Sequence, residues 1–160
     1  MFNKSNALRS ARGNMAFVMV FTIVNLVLLF LNISASFPFS IFSPVLTGYW
    51  SYLSLTEGDT FGVILYLAIF VLVMGTFLIS WFFSQKKPKL ILIGFVLYLL
   101  DTAFMIWFFM FVGDNSWILD SLFHLWVLVS MGFSLFVSFT TPKPIVDPLS
   151  QDFGNNDERL

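Results

Sequence analysis

The chain is short of most of what soluble enzymes use. It has no cysteine and a single histidine, and charged residues make up only 11% of its 160 positions. Without cysteine there can be no disulfide, thiolate metal site or thiol nucleophile. One histidine cannot build a multi-histidine metal site. A net charge of −1 leaves no basic patch to neutralise phosphates, which argues against nucleic acid as a partner. Sequence motifs of catalysis are missing too: there is no HExxH, no GxSxG elbow and no Gly-rich phosphate loop. Every lysine falls outside the apolar runs, so a membrane Ser–Lys dyad has no candidate. No repeat or low-complexity tract occurs. The expectation is a protein without cofactor or metal, and not an enzyme.

What is present is apolar. Hydrophobic residues reach 58% and phenylalanine occurs 22 times. A soluble domain usually carries about 25% charged residues, so this composition belongs in lipid. The run at 90–112 organises the rest. At about 1.5 Å of rise per residue, a helix of that length crosses the ~30 Å hydrocarbon core of a bilayer. Asp101 falls near its middle, where a carboxylate is costly unless it is neutral, paired or facing water. The other spans must therefore give it company.

Three further runs qualify as spans: 15–33, 60–83 and 117–140. The basic start, apolar run and small residues Ser34, Ala35 and Ser36 also describe a secretory signal. The run is longer than the usual 7–15-residue apolar region of such signals, so an uncleaved first span is expected. Between the first two spans, 34–59 is ambiguous. It is apolar, yet holds Pro38, Pro44 and Gly48 among many serines and threonines, with aromatics suited to headgroup depth. Charge decides. If this segment does not span, all 8 Lys and Arg lie on one side of the membrane; if it does, Lys86, Lys87 and Lys89 oppose Lys4, Arg9 and Arg12. The positive-inside rule favours the first arrangement. The expected fold is an all-α, four-helix transmembrane bundle with both termini in the cytoplasm. Residues 34–59 then form an irregular or short-helical outer segment, interfacial or shallowly re-entrant. Residues 1–14 form a cytoplasmic segment, and the polar, acidic 141–160 a disordered cytoplasmic tail.

Helical spacing gives each span one polar or small stripe: Thr22, Asn25 and Asn32; Gly62, Tyr66, Thr76 and Ser80; Gly94, Tyr98, Asp101 and Thr102; Asp120, His124, Ser134 and Ser138. Membrane proteins turn such residues toward neighbouring helices. Depth pairs Asn25 with Asp101 near the midplane, and Asn32 with Asp120 and His124 near the outer rim. Asp120 and His124 are one helical turn apart and can meet. These five, Asp101, Asn25, Asn32, Asp120 and His124, are the candidate ligand- or ion-binding residues. Each also has a structural reading. The asparagines serve as interhelical hydrogen-bonding groups, Asp101 as a bonded buried acid, and Asp120 with His124 as an ion pair rather than a proton relay or cation site. The cationic loop Lys86–Lys89 reads first as a topology determinant, and only second as a site for anionic lipid.

Several short motifs accompany these positions: Arg12-Gly13-Asn14, Phe21-Thr22 with Asn25, Phe42-Ser43-Pro44, Ser80-Trp81-Phe82 running into Lys86-Lys87-Pro88, Leu100-Asp101-Thr102, and Phe123 through Leu128. Together they cover about residues 12–128, and in them the chain resembles a group of small four-span membrane proteins of low-GC Gram-positive bacteria. The resemblance implies a bacterial plasma membrane and carries no activity. The leading expectation is a non-enzymatic accessory or interaction subunit, or a homo-oligomer. Its partners would be the lipid bilayer and a larger membrane protein or second copy. The alternative is a small transporter or channel protomer with Asp101 as the proton- or cation-coupling acid. A third is an intramembrane enzyme using Asp101 and His124.

Overall fold

Alternating steps of three and four along the apolar runs become packing seams in the structure. A computed structural model describes residues 4–33, 37–113 and 117–140, and every regular element among them is helical: α1 (Lys4–Phe30), α2 (Phe42–Glu57), α3 (Thr60–Phe83), α4 (Ile91–Val112) and α5 (Trp117–Thr140). A single 3-10 turn, Pro88–Leu90, leads into α4. Four of the helices, all but α2, are long and apolar enough to cross a membrane.

Buried positions recur along each seam: on α1, Ala7, Ala11, Met15, Val18, Thr22 and Asn25, with Met19 and Leu26 beside them; on α4, Ile91, Gly94, Tyr98, Asp101 and Met105, with Thr102; on α5, Ser121, His124, Leu128, Met131, Leu135 and Ser138, with Val127 and Ser134. This spacing averages 3.5 residues and keeps one face of each helix on its neighbours. Accordingly α1 lies along α5, α5 along α4, and α4 along α3. Polar side chains tie these contacts at intervals. The Asn14 amide donates to Ser130 Oγ at 2.8 Å, and Ser134 Oγ donates to Ser10 Oγ at 3.3 Å. Ser80 Oγ donates to the Leu90 carbonyl at 2.6 Å and accepts from Gly94 N–H at 3.1 Å. A Cβ at Gly94 would run into the end of the Met15 side chain, which lies directly over this glycine where α4 meets α1.

Two departures from the sequence expectation stand out. First, residues 4–14, expected as a cytoplasmic segment apart from the membrane domain, continue α1. Ala7 and Ala11 are fully buried, because their small side chains extend the α1 seam onto α5. The ordered part of α1 also stops at Phe30, followed by turns through Ile33, rather than running helical to 33. Second, most of 34–59, expected as irregular or short-helical, is a single 16-residue helix, α2. The residues that argued against a further span are its inner face: Pro44, Thr47, Gly48, Ser51 and Ser54 are all buried. Pro44 sits in the first turn, where it costs no hydrogen bond. The rest are small enough for close approach to α3 and α1. A Cβ on Gly48 would meet Leu26, and one on Gly62 would meet Ser54 and Asp59.

α2 turns into α3 at Gly58, whose φ of +76° suits glycine, with its N–H on Leu55 O and the next N–H on Ser54 O. The pair forms an antiparallel hairpin, and α2 packs mostly on α3. The shared face leaves the rest of α3 uncovered, and its buried positions are Gly62, Phe77 and Ser80. The other end of α4 closes on Gly113, also left-handed at φ +73°. The expected 141–160 tail falls wholly outside the described residues.

Candidate functional site

Three buried polar side chains, Thr22 and Asn25 of α1 and Asp101 of α4, converge on one short stretch, 37–43, that leads into α2. A helix start exposes N–H groups with no partner inside the helix. Here the residue before the helix is Ile41, whose side chain cannot cap it, and no local side-chain cap exists. The cap comes instead from α4. Both oxygens of Asp101 accept: Oδ2 from Phe42 N–H at 2.7 Å, and Oδ1 from Ser43 N–H at 2.8 Å and from the Ser43 hydroxyl. A carboxylate at the positive end of a helix dipole is the favoured charge there. Asp101 is only 6% exposed and lies midway along α4, so α2 begins beside the middle of that helix.

α1 holds the residues just before. Asn25 Oδ1 accepts Phe37 N–H at 2.8 Å, and its Nδ2 donates to Phe37 O at 2.8 Å and Ser40 Oγ at 2.9 Å. Thr22 Oγ1 accepts from Ile41 N–H at 2.8 Å and donates its own O–H to Val18 O at 2.7 Å. Four backbone donors of the stretch, at residues 37, 41, 42 and 43, are thereby satisfied by side chains of α1 and α4. Aromatic packing closes around it: Phe39 lies 4.5 Å from Phe123, and Phe42 5.3 Å from Phe109, between ring centroids.

Asn25 and Asp101 were expected to bond each other; they bind successive parts of the same segment instead. Both fulfil the need for company, but through backbone rather than through one another. Asn32 does not join Asp120 and His124. It is exposed in the turn after α1, in the left-handed region at φ +56°, with its N–H on Leu29 O. Asparagine tolerates that conformation better than most residues, which accounts for its place there. Asp120 and His124 do meet across a turn, though not as an ion pair. His124 Nδ1 lies 2.9 Å from the Asp120 backbone carbonyl. A carbonyl only accepts, so Nδ1 carries the proton and donates. The His124 ring stacks on Tyr98 with centroids 5.3 Å apart and planes 11° from parallel.

Below α2, these groups border a cavity of about 150 Å³. Asn25, Ser40, Asp120 and His124 supply its polar wall, with Phe37, Phe42 and Phe109 among its apolar lining. Nearby, His124 Nε2, Ser121 Oγ and Tyr98 Oη are buried without a hydrogen-bond partner. Among the described residues, no three acids or histidines converge as a metal site would require.

Sequence reasoning missed Ser40 and Ser43 as working parts of this arrangement. The available signal was Ser43-Pro44, a hydroxyl residue followed by proline, which marks a helix start. Neither a protein-family model, nor a curated protein, nor a solved structure matches this chain.

Proposed function

We propose that the chain is a four-span integral membrane protein of a bacterial plasma membrane, working as a non-enzymatic interaction subunit. In this arrangement α1, α3, α4 and α5 cross the bilayer as a bundle, with both chain ends on the cytoplasmic side, where the lysines and arginines gather. Asp101 then sits near mid-depth, and α2 is a re-entrant helix. It starts beside Asp101 and, at about 1.5 Å per residue, rises roughly 24 Å back to the outer face. Irregular backbone at that depth is tolerated only where protein satisfies it. The side-chain bonds to residues 37–43 meet that condition.

The observation that carries the interaction role is the exposure of α3. The other three spans pack on one another along continuous seams; α3 buries few residues and leaves most of its surface outward. Together with α1 it frames an apolar groove of about 650 Å³, bordered by Met19, Ile23, Phe70, Met74 and Leu78. The flank of α3 that α2 and α4 leave open is offered to another membrane helix, from a larger partner or a second copy. Asp101 supports this reading in a second way. Both its oxygens are engaged in capping α2, which favours a structural role for this acid over that of a coupling acid or catalyst.

The absence of cysteine makes the test direct. Single cysteines at Val71 and Leu72 on α3, and at Leu122 and Val129 on α5, are introduced into otherwise unchanged protein in native membranes. The expected result is disulfide or photo-crosslinked product from the α3 positions and none from α5. Monomer alone at all four positions would overturn the interaction role and leave α3 facing lipid.

A further inference from the structure

The groove that α1 and α3 frame carries charge at one end only. Its lining is apolar throughout, and from Phe70 to Trp81 it runs roughly 16 Å at about 1.5 Å per residue. That is about half of the ~30 Å hydrocarbon core, the depth of one leaflet. Trp81 closes the groove near the end of α3 and packs against the core. Over its ring lies the Arg12 guanidinium, 5.4 Å from the centroid and one helical turn along α1 from Ala16, which also lines the groove. An aromatic face holds a guanidinium without using its N–H groups. Arg12 Nε is buried and has no hydrogen-bond partner. Among the described residues no carboxylate is placed to pair with Arg12. Glu57 and Asp59 lie at the opposite end of α3, Asp101 caps α2, and Asp120 is in the first turn of α5, well before the Ser130 that Asn14 reaches. Lys86, Lys87 and Lys89 follow α3 directly and are all exposed, so this end of the molecule is cationic.

From this we propose that the groove binds an anionic phospholipid of the cytoplasmic leaflet. One acyl chain lies along α1 and α3, and the phosphate accepts from Arg12 above Trp81. The lysines of the α3–α4 turn select a headgroup of net negative charge, since a zwitterionic one would bring another cation among them. Assignment to that leaflet rests on the four-span arrangement proposed above; the site itself rests on the groove and its charged end. Lipid here leaves room for a partner helix, because Leu72 and Ile79 are exposed on α3 outside this lining.

Full-length protein, one chain per nanodisc, is reconstituted in phosphatidylcholine containing increasing fractions of phosphatidylglycerol with a photoreactive diazirine on one acyl chain, and labelled peptides are mapped. The expected result is saturable labelling of 16–23 and 70–81. It should be lost when unlabelled phosphatidylglycerol is added and kept when inorganic phosphate is added at matched ionic strength. Arg12→Gln should weaken it roughly tenfold, since a charge-assisted partner is lost. Gly75→Phe tests the groove with Arg12 intact. A Cβ at Gly75 meets nothing within 4 Å, so the ring enters the groove without disturbing the packing, and labelling should fall to the level seen with diazirine phosphatidylcholine. Labelling of Leu122 and Val129, exposed on α5, by either lipid reports the spans themselves, so a failure confined to the groove counts against the site and not against the topology. Groove labelling equal for the two lipids, or undiminished in folded Gly75→Phe protein, would overturn the proposal and leave the groove to bulk lipid or to a partner helix. Loss of labelling to inorganic phosphate would overturn lipid as the occupant.

Discussion

Replacing Asp101 by asparagine changes one atom group and tests how α2 is held. In the native chain the carboxylate takes two backbone N–H groups and one hydroxyl, all at the start of α2. The amide keeps one acceptor oxygen and turns an NH2 toward the other donor site, so donor faces donor. A hydrogen bond to a charged group contributes about 1.5–3 kcal/mol, and a buried donor left unpaired costs about 1–3 kcal/mol. These overlap, since they describe one lost bond from two sides, so the expected loss is roughly 2–4 kcal/mol. Asp101→Leu sharpens the test because two large effects compete. Removing an acid from the middle of a membrane helix is worth about 2.5–3.5 kcal/mol in stability. Removing all three charged-acceptor bonds costs on the order of 5–9 kcal/mol, so the leucine variant should still be the less stable protein. Unfolding of both variants in bicelles, by SDS titration, measures the balance. Hydrogen exchange at Phe42 and Ser43 localises it, with acceleration expected there before any change along α5. An asparagine variant within about 0.5 kcal/mol of the native protein, the range of an inert surface change, would refute the capping role. A leucine variant that gained stability would do the same, and would mark Asp101 as kept for some purpose other than structure.

Two further outcomes follow from the packing and the topology. Gly62→Val places branched carbons where Ser54 and Asp59 already sit; overpacking of about 1–3 kcal/mol should open the α2–α3 hairpin, seen as faster proteolysis near Gly58. With single cysteines at Lys87 and at Glu57, a membrane-impermeant maleimide applied from outside intact cells should label only the Glu57 position; labelling at Lys87 would overturn the proposed topology.

Much of this architecture could be read before any coordinates. Of the four long apolar helices, α3, α4 and α5 fall almost where the hydropathy placed them, because an apolar run of that length has few other solutions; α1 begins well before its expected span. Asp101 announced itself by cost alone. What stayed hidden was α2, and the reason is instructive. Proline, glycine and serine in 42–57 read as breakers when taken one at a time. Placed on a helix they fall on one side, at 44, 47, 48, 51 and 54, and make the flat face that lets α2 lie close to α3. Composition weighed against helix; periodicity favoured it. The partners of Asn25 and Asp101 were hidden for a different reason. Both bind backbone groups, and a backbone donor is present at nearly every residue, so no sequence pattern marks which one a side chain will reach. Pairing polar side chains by depth alone therefore joined Asn25 to Asp101 directly, when a strand of chain runs between them.

That intervening strand explains why the interior polar groups divide into two sets. A helix that starts buried among other helices needs an acceptor for its first N–H groups, and Ile41 offers none. Supplying the acceptor from α4 rather than from α2 itself has a structural consequence: the start of α2 can be in place only when α4 is docked, and α1 must hold residues 37–41 at the same time. Asp101, Asn25 and Thr22 are fully engaged in that task, each with its bonding groups matched to named partners. Asp120 and His124 stand outside this lock, although they border the same segment through the cavity. Buried polar atoms without partners are rare where packing alone is the purpose, and here Tyr98, Ser121 and His124 supply three on adjoining turns of α4 and α5. A structural role accounts for the first set completely and for the second hardly at all. The acid whose position first drew attention is thus committed to holding α2, while the atoms that packing leaves unpaired lie on Tyr98, Ser121 and His124.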